Sequence, residues 1–278
     1  MRHRLVPSAV LLLVLALTGC HADFRAGWDA YEAEDFAAAR SHWLAAAEGG
    51  HVKSQYLLAL MYEDGRGVER DTAEAMRWYT RAAERGFAAA QTNLGLMYHL
   101  GKGVAVDHDA AAGWYRRAAR QGHPAAQNNL GQMYLKGEAV ARDTAEARDW
   151  LRRAAERGDP NAQFVLGRMY DEGVGGSVDE RRAARWFERS AEQGLAVAQH
   201  RAGIMHLTGR GVERDVVAAY VWQTLAAEQD EPRGQLYKLA LERKLDADQF
   251  ARAERRLAAW RGDRAEAVGD PVATVPTP

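Results

Sequence analysis

Four serines lie beyond residue 19, and none stands where an acyl-transfer enzyme would need it. Ser41, Ser54, Ser177 and Ser190 occur in neither a Ser-x-x-Lys nor a Gly-x-Ser-x-Gly setting, the arrangements that put a base or an oxyanion hole beside the hydroxyl. Hydrolytic zinc chemistry would need clustered His, Cys or carboxylate ligands. No His-Glu-x-x-His occurs, and the one cysteine, Cys20, ends an apolar N-terminal run. His200 and His206 fall on one expected helix, but six residues put them about 120° apart on the wheel, so they are not expected to share a ligand. His99, His108 and His123 fall at junctions between elements and read as exposed loop residues. Gly101-Lys102-Gly103 has the glycines of a phosphate cradle without the strand that should precede them, and reads as a turn. No catalytic residue, metal site or cofactor is expected.

The side chains left to act form a surface. On the helix expected after Asp71, positions 73, 76, 80 and 84 cluster roughly 180° from the apolar arc. That face and its copies carry Arg40 and Leu44, Met76 and Thr80, Arg116 and Arg120, Arg148 and Arg152, Arg181 and Glu188, and Tyr220 and Thr224. Arginine gathers in the middle of the series, with apolar or aromatic residues at both ends. A guanidinium fork suits carboxylates and is common in interface hot spots, so this face is the candidate partner-binding groove.

The elements that position this surface are written repeatedly. "NLGLMYHLGKGVAVD" (93–107) has close copies at 57–71, 129–143, 165–179 and 201–215. Trp78, Trp114, Trp150, Trp186 and Trp222 are each 36 residues apart. So are Gly50, Gly86, Gly122, Gly158 and Gly194, with Asp230 in the next slot, and so are Gln55, Gln91, Gln127, Gln163 and Gln199. Self-similarity of this length marks a repeat array, whose units bury their apolar faces against neighbours. Within one unit, Asp71 to Glu74 reads as an N-cap with a capping-box Glu. A first helix then carries Ala75, Trp78, Tyr79 and Ala82 on one arc. Gly86 stands where a C-cap glycine belongs, and a second helix carries Ala90, Leu94, Gly95 and Tyr98. Gly95 allows close helix approach, and the recurring Gln is expected to hydrogen-bond loop backbone. Ala139 occupies the slot of a turn glycine; it is expected not to need a left-handed backbone there. The fifth hairpin, with Ala202 and His206 in place of Leu and Tyr, is expected to pack least tightly.

The phrase A-x-x-W-Y-x-x-A-A-x-x-G-x-x-x-A-Q-x-x-L-G-x-M-Y-x-x-G-x-G-V-x-x-D resembles the Sel1-like repeat, a relative of the tetratricopeptide repeat, over about residues 36–230. The resemblance implies an all-α fold, an α/α solenoid of about five helix hairpins whose first helices line a concave groove. Leu151, Gly176 and His206 depart from the phrase at its aromatic and valine slots. A cysteine-rich branch of the family, for which hydrolysis of β-lactams or wall fragments has been proposed, places a cysteine pair in each repeat. This chain has none.

The two ends differ. Arg2 and Arg4 followed by "LVPSAVLLLVLALTG" read as a signal peptide over 1–19, too short to span a bilayer comfortably. Leu17-Thr18-Gly19-Cys20 resembles the lipobox of bacterial lipoproteins, which implies cleavage before Cys20 and its acylation. Two or more acyl chains anchor a protein stably. Residues 20–35 read as the acylated N-terminus and a first helix, 36–230 as the solenoid, 231–262 as a helical cap and 263–278 as a disordered tail. In the cap, Leu236, Leu239, Phe250, Leu257 and Trp260 are expected to face inward. Lys and Arg number 37 against 38 Asp and Glu, a balance that does not suggest nucleic-acid binding. Together these features predict a non-enzymatic interaction scaffold of the bacterial envelope. It would be anchored through Cys20, would face the periplasm from the outer more than the inner membrane, and would bind one or more envelope proteins. The alternative is a cell-wall (peptidoglycan or glycan) binding protein or hydrolase using exposed aromatics such as Trp28 or Tyr220.

Overall fold

The structure, a computed structural model, describes residues 22–267. The signal peptide expected over 1–19, Cys20, His21 and residues 268–278 lie outside this range. The described residues are helical with short connections and contain no strand. They divide into two compact units between Asp143 and Thr144.

The first unit holds α1 (22–32), α2 (Phe36–Glu48), α3 (Val52–Asp64), α4 (Thr72–Glu84), α5 (Ala88–Leu100), α6 (His108–Arg120) and α7 (Pro124–Lys136). The second holds α8 (Thr144–Glu156), α9 (Pro160–Glu172), α10 (Glu180–Glu192), α11 (Ala196–Thr208), α12 (Val216–Ala227), α13 (Pro232–Glu242) and α14 (Ala247–Ala267). The last helix continues past the break expected at 262.

Each even-numbered helix from α2 to α12 is the first of a pair and follows directly on an aspartate, whose side chain caps α2, α4, α6, α10 and α12. The Asp71 carboxylate accepts the Glu74 amide at 2.9 Å, and Asp107 does the same for Ala110 at 2.9 Å. The expected return bond of a capping box is replaced. The Asp71 N–H donates instead to the Tyr62 carbonyl at 3.0 Å, as Asp107 does to Tyr98 at 3.0 Å and Asp179 to Tyr170 at 2.9 Å. Each cap is thus tied to the preceding helix, which leaves the glutamates free for other uses. Glu146, for example, accepts from the Trp150 indole at 2.8 Å.

The joint within a pair closes on a glycine such as Gly86, at φ +91°, where the Phe87 amide returns to the Ala82 carbonyl at 3.1 Å. The recurring glutamine locks the same joint from the side. Gln91 Nε2 donates to the Ala83 carbonyl at 3.0 Å, and Gln55, Gln127 and Gln163 repeat the bond at 3.0–3.1 Å and Gln199 at 3.3 Å. The acceptor is the last turn of the first helix and not the loop itself. A second amide then joins the set: Gln121 donates to Gln91 Oε1, Gln193 to Gln163 and Gln229 to Gln199, at 2.7–2.9 Å.

Packing between pairs uses the Gly95 slot as expected. A Cβ there would stand 2.7 Å from the Tyr115 ring, and one on Gly167 would stand 2.8 Å from Phe187. The core is accordingly alanine-rich, with the large side chains Tyr79, Tyr115, Leu151 and Phe187 wholly buried. The tryptophan slot lies at the rim. Trp78 is buried, but Trp114, Trp150, Trp186 and Trp222 are half-buried.

Three expectations need correction. Ala139 does adopt the left-handed backbone, at φ +55°, so this turn carries the strain that glycine spares the others. The fifth hairpin is not loosely packed: Ala202 is fully buried, Gln223 fills the space beside Gly203, and Gln223 Oε1 lies 2.9 Å from His200 Nδ1. In the cap, Leu257 is buried and Trp260 half-buried, but Leu236 and Leu239 point outward, 66% and 46% exposed, and Phe250 is 37% exposed. α13 seats itself instead by Gly234, where a Cβ would meet that of Ala226 at 2.8 Å, and by Leu241.

Candidate functional site

The predicted face divides according to what covers it. In the first unit, Arg40, Leu44, Met76, Thr80 and Arg116 are half-buried and Arg120 is exposed. Met76 and Thr80 line a hollow of about 360 Å³ with Ala73, Arg77, Arg81 and Gly103. Arg40 lines a second hollow, of about 680 Å³, beside the turn 67–72. Its guanidinium donates to the Tyr62 hydroxyl at 3.3 Å and lies 6.0 Å from the ring centroid. Arg116 and Arg120 have no carboxylate within ion-pair distance among the described residues.

In the second unit, Arg148 is half-buried and turns its guanidinium over Gly176, where other repeats carry a valine. Arg152 is exposed and held by its own helix, 3.2 Å from Asp149 and 4.0 Å from Glu156. Arg181 is exposed. Glu188 is engaged by His206 at 2.8 Å. Tyr220 and Thr224 are corrections: they are 2% and 4% exposed. Tyr220 packs against Phe250 of α14, with ring centroids 5.8 Å apart. The terminal helix occupies the place a partner would take, so neither residue belongs to an accessible face.

The physical reason for this spread is the width of the buried arc. It includes Ala83 and its equivalents Ala119, Ala155 and Ala191, which brings the Met76 slot to its edge. Ala112 and Ala184 fill that slot with a buried methyl, and a side chain long enough to emerge, such as Arg148, projects over the neighbouring turn.

Five consecutive matches to the Sel1 repeat cover residues 52–87, 88–123, 124–159, 160–195 and 196–231. The chain belongs to the Sel1 repeat family. A Sel1 repeat protein from Oxalobacter formigenes is 35% identical, with a TM-score of 0.64 over 73% of this chain and 83% of that one. A protective antigen of uropathogenic Escherichia coli displaying an SLR fold is 28% identical, covering 95% of this chain and 73% of that one with a TM-score of 0.43. Immunity protein PA5088 from Pseudomonas aeruginosa is 19% identical, with a TM-score of 0.50 over 77% and 83% of the two chains. No curated protein matches. Sel1 repeat proteins are generally interaction scaffolds without catalytic activity.

Within this Sel1 repeat array the histidines are not loop ornaments. His123 Nδ1 lies 3.0 Å from the Thr92 hydroxyl, and buried His200 is bound to Gln223, well apart from the His206–Glu188 pair. His99 and His108 are half-buried with their rings edge to face, centroids 5.0 Å apart, and burial holds the His99 imidazole below its usual pKa. A second repeated feature was readable but is absent from the predicted face: arginine three residues after the tryptophan. Arg81, Arg117, Arg153 and Arg189 stack on Trp78, Trp114, Trp150 and Trp186 at 4.5–4.9 Å. The Trp-x-x-Arg spacing was the signal, since residues three apart are neighbours on a helix.

Proposed function

We propose that this Sel1 repeat protein is a lipid-anchored adaptor of the bacterial cell envelope that binds acidic segments of partner proteins on the first-helix faces of its hairpins. The observation that carries the reading is Arg116 with Arg120: two guanidiniums on one helix face with no ion-paired carboxylate among the described residues, in a family of scaffolds. Unneutralised forks of this kind favour a carboxylate-bearing partner. The anchor rests on the lipobox-like Leu17-Thr18-Gly19-Cys20, and its direction, outer membrane above inner, on His21 and not Asp following the cysteine. One residue separates Cys20 from α1, so acylation would hold the start of α1 within roughly 10 Å of the headgroups. No helix among the described residues is long and apolar enough to cross a membrane.

The test has two arms. Cys20→Ser should move the protein from the membrane to the soluble fraction, and mass spectrometry of the wild-type N-terminal peptide should find acyl chains. Arg116→Glu/Arg120→Glu should lose partners that crosslinked wild-type protein captures. An unchanged partner set would remove the arginine face from consideration. The wall-binding alternative is weakened because Tyr220 is buried and Trp28 is half-buried, its indole bonded to Glu32 at 2.8 Å.

A further inference from the structure

The repeat brings the same three slots together at successive junctions: one near the end of a second helix, one at the start of the next first helix, and one in the following turn. In the slots of residues 63, 72 and 102, Lys102 Nζ lies 3.7 Å from Glu63, with Thr72 the third member. In the slots of residues 171, 180 and 210, the Arg210 guanidinium lies 2.8 Å from both Asp171 and Glu180. At these two junctions a cation supplied by the turn sits against one or two carboxylates supplied by the helices, whereas the slots of residues 135, 144 and 174 hold the uncharged Leu135, Thr144 and Val174.

The junction of residues 99, 108 and 138 inverts this scheme. The helices supply imidazoles, His99 and His108, and the turn supplies a carboxylate, Glu138. One ligand atom from each of the three lies within 4.8 Å of the others, with His99 Nε2 3.8 Å from Glu138 Oε2. His99 Nδ1, His108 Nδ1 and Glu138 Oε2 are buried and have no hydrogen-bond partner. Buried polar atoms are normally satisfied, and an unpartnered atom on each of three neighbouring side chains calls for something to satisfy them. Lys136 meets the other oxygen, Glu138 Oε1, at 3.5 Å and so orients the carboxylate from outside. His108 also borders a hollow of about 560 Å³ with Asp107, Asp109 and Ala139, which gives an ion a way in.

We propose that His99, His108 and Glu138 form a binding site for a divalent transition-metal ion, zinc foremost. Two imidazoles and one carboxylate are a donor set that suits zinc and its neighbours, and the hollow leaves a fourth position for water or a partner's side chain. Donors around a tetrahedral zinc stand about 3.3 Å apart, so the three must close by about 1.5 Å at most, within reach of side-chain rotation at Glu138 in its turn. The bound ion takes the place that Lys102 and Arg210 hold at the sister junctions and pins the second and third hairpins of the first unit together.

The full chain should bind one equivalent of Zn²⁺ in competition with a chromophoric chelator, and Co²⁺ should give the visible absorption of a low-symmetry four-coordinate site. His108→Thr installs the residue that stands at 72 and 144, and Glu138→Arg installs that of 210, so both are compatible with the repeat. Each should weaken Zn²⁺ binding at least about tenfold and abolish the cobalt spectrum, and zinc should raise the melting temperature of the wild type only. His42→Ala, a histidine elsewhere, should change nothing. Failure of the wild type to bind either ion, or equal binding by wild type, His108→Thr and Glu138→Arg, would overturn the site. Circular dichroism on each variant shows that loss of binding is not loss of fold.

Discussion

At the scale of the residue, backbone handedness and capping set the local energies. Ala139 sits at φ +55° in a slot that Gly67, Gly103, Gly175 and Gly211 fill elsewhere at φ +67° to +72°. Ala139→Gly should therefore stabilise the protein by about 1 kcal/mol, read as a raised denaturant midpoint. The reverse change at Gly211 should cost about 2–4 kcal/mol, since an added Cβ would stand 2.0 Å from the Glu180 carbonyl oxygen as well as strain the backbone. Asp215 adds a pH term. Burial works to raise its pKa, but the Ala218 amide, the Arg256 guanidinium and the Val217 amide outweigh it and hold the carboxyl below the ordinary 3.8. The unfolded chain therefore takes up the proton first. The stabilisation is full above about pH 3.8 and is lost as pH falls through the folded value. Asp215→Ala should cost about 1 kcal/mol at neutral pH, and the gap from wild type should narrow in urea melts at about pH 3.

At the scale of the element, the second unit depends on its last helix. Leu257 is wholly buried beside Tyr220 and Leu225, so Leu257→Ala should cost about 2–5 kcal/mol, and hydrogen exchange should show α12 losing protection along with α14. The paired helices were legible because aspartate, tryptophan, glutamine and glycine recur in one register, and each marks a bond or contact the structure contains. The cap was less legible. Its helix α13 approaches α12 through Gly234, and a contact made by the absence of a side chain leaves no apolar signal, so that Leu236 and Leu239 read from sequence as the inner face. The partner face was legible only in part, for a related reason. A helix wheel marks the centre of a buried arc but not its edges, and Tyr220 and Thr224 lie at an edge that α14 covers. The His99, His108 and Glu138 cluster was invisible to motif reading because its members come from three separate segments and three different slots of the repeat, and only the stacking of neighbouring hairpins brings them together.

At the scale of the whole molecule, charge is nearly balanced, 37 basic against 38 acidic residues, so attraction to partners is local and not a property of net charge. Partner capture through Arg116 and Arg120 should accordingly weaken as ionic strength rises from about 0.05 to 0.5 M, with the Debye length shrinking below 5 Å, and the Glu variants should lose that salt dependence. The paired amides carry a further consequence. Gln91, Gln163 and Gln199 each receive their partner from within their own repeat, whereas Gln55 and Gln127, whose repeats carry Arg85 and Arg157 in the partner slot, keep a buried and unanswered Oε1. The hairpins are therefore not equal as interchangeable cassettes. A longer array is best spliced from copies of residues 160–195, which bring both halves of the clasp with them, while every added copy of 52–87 would import another bare oxygen.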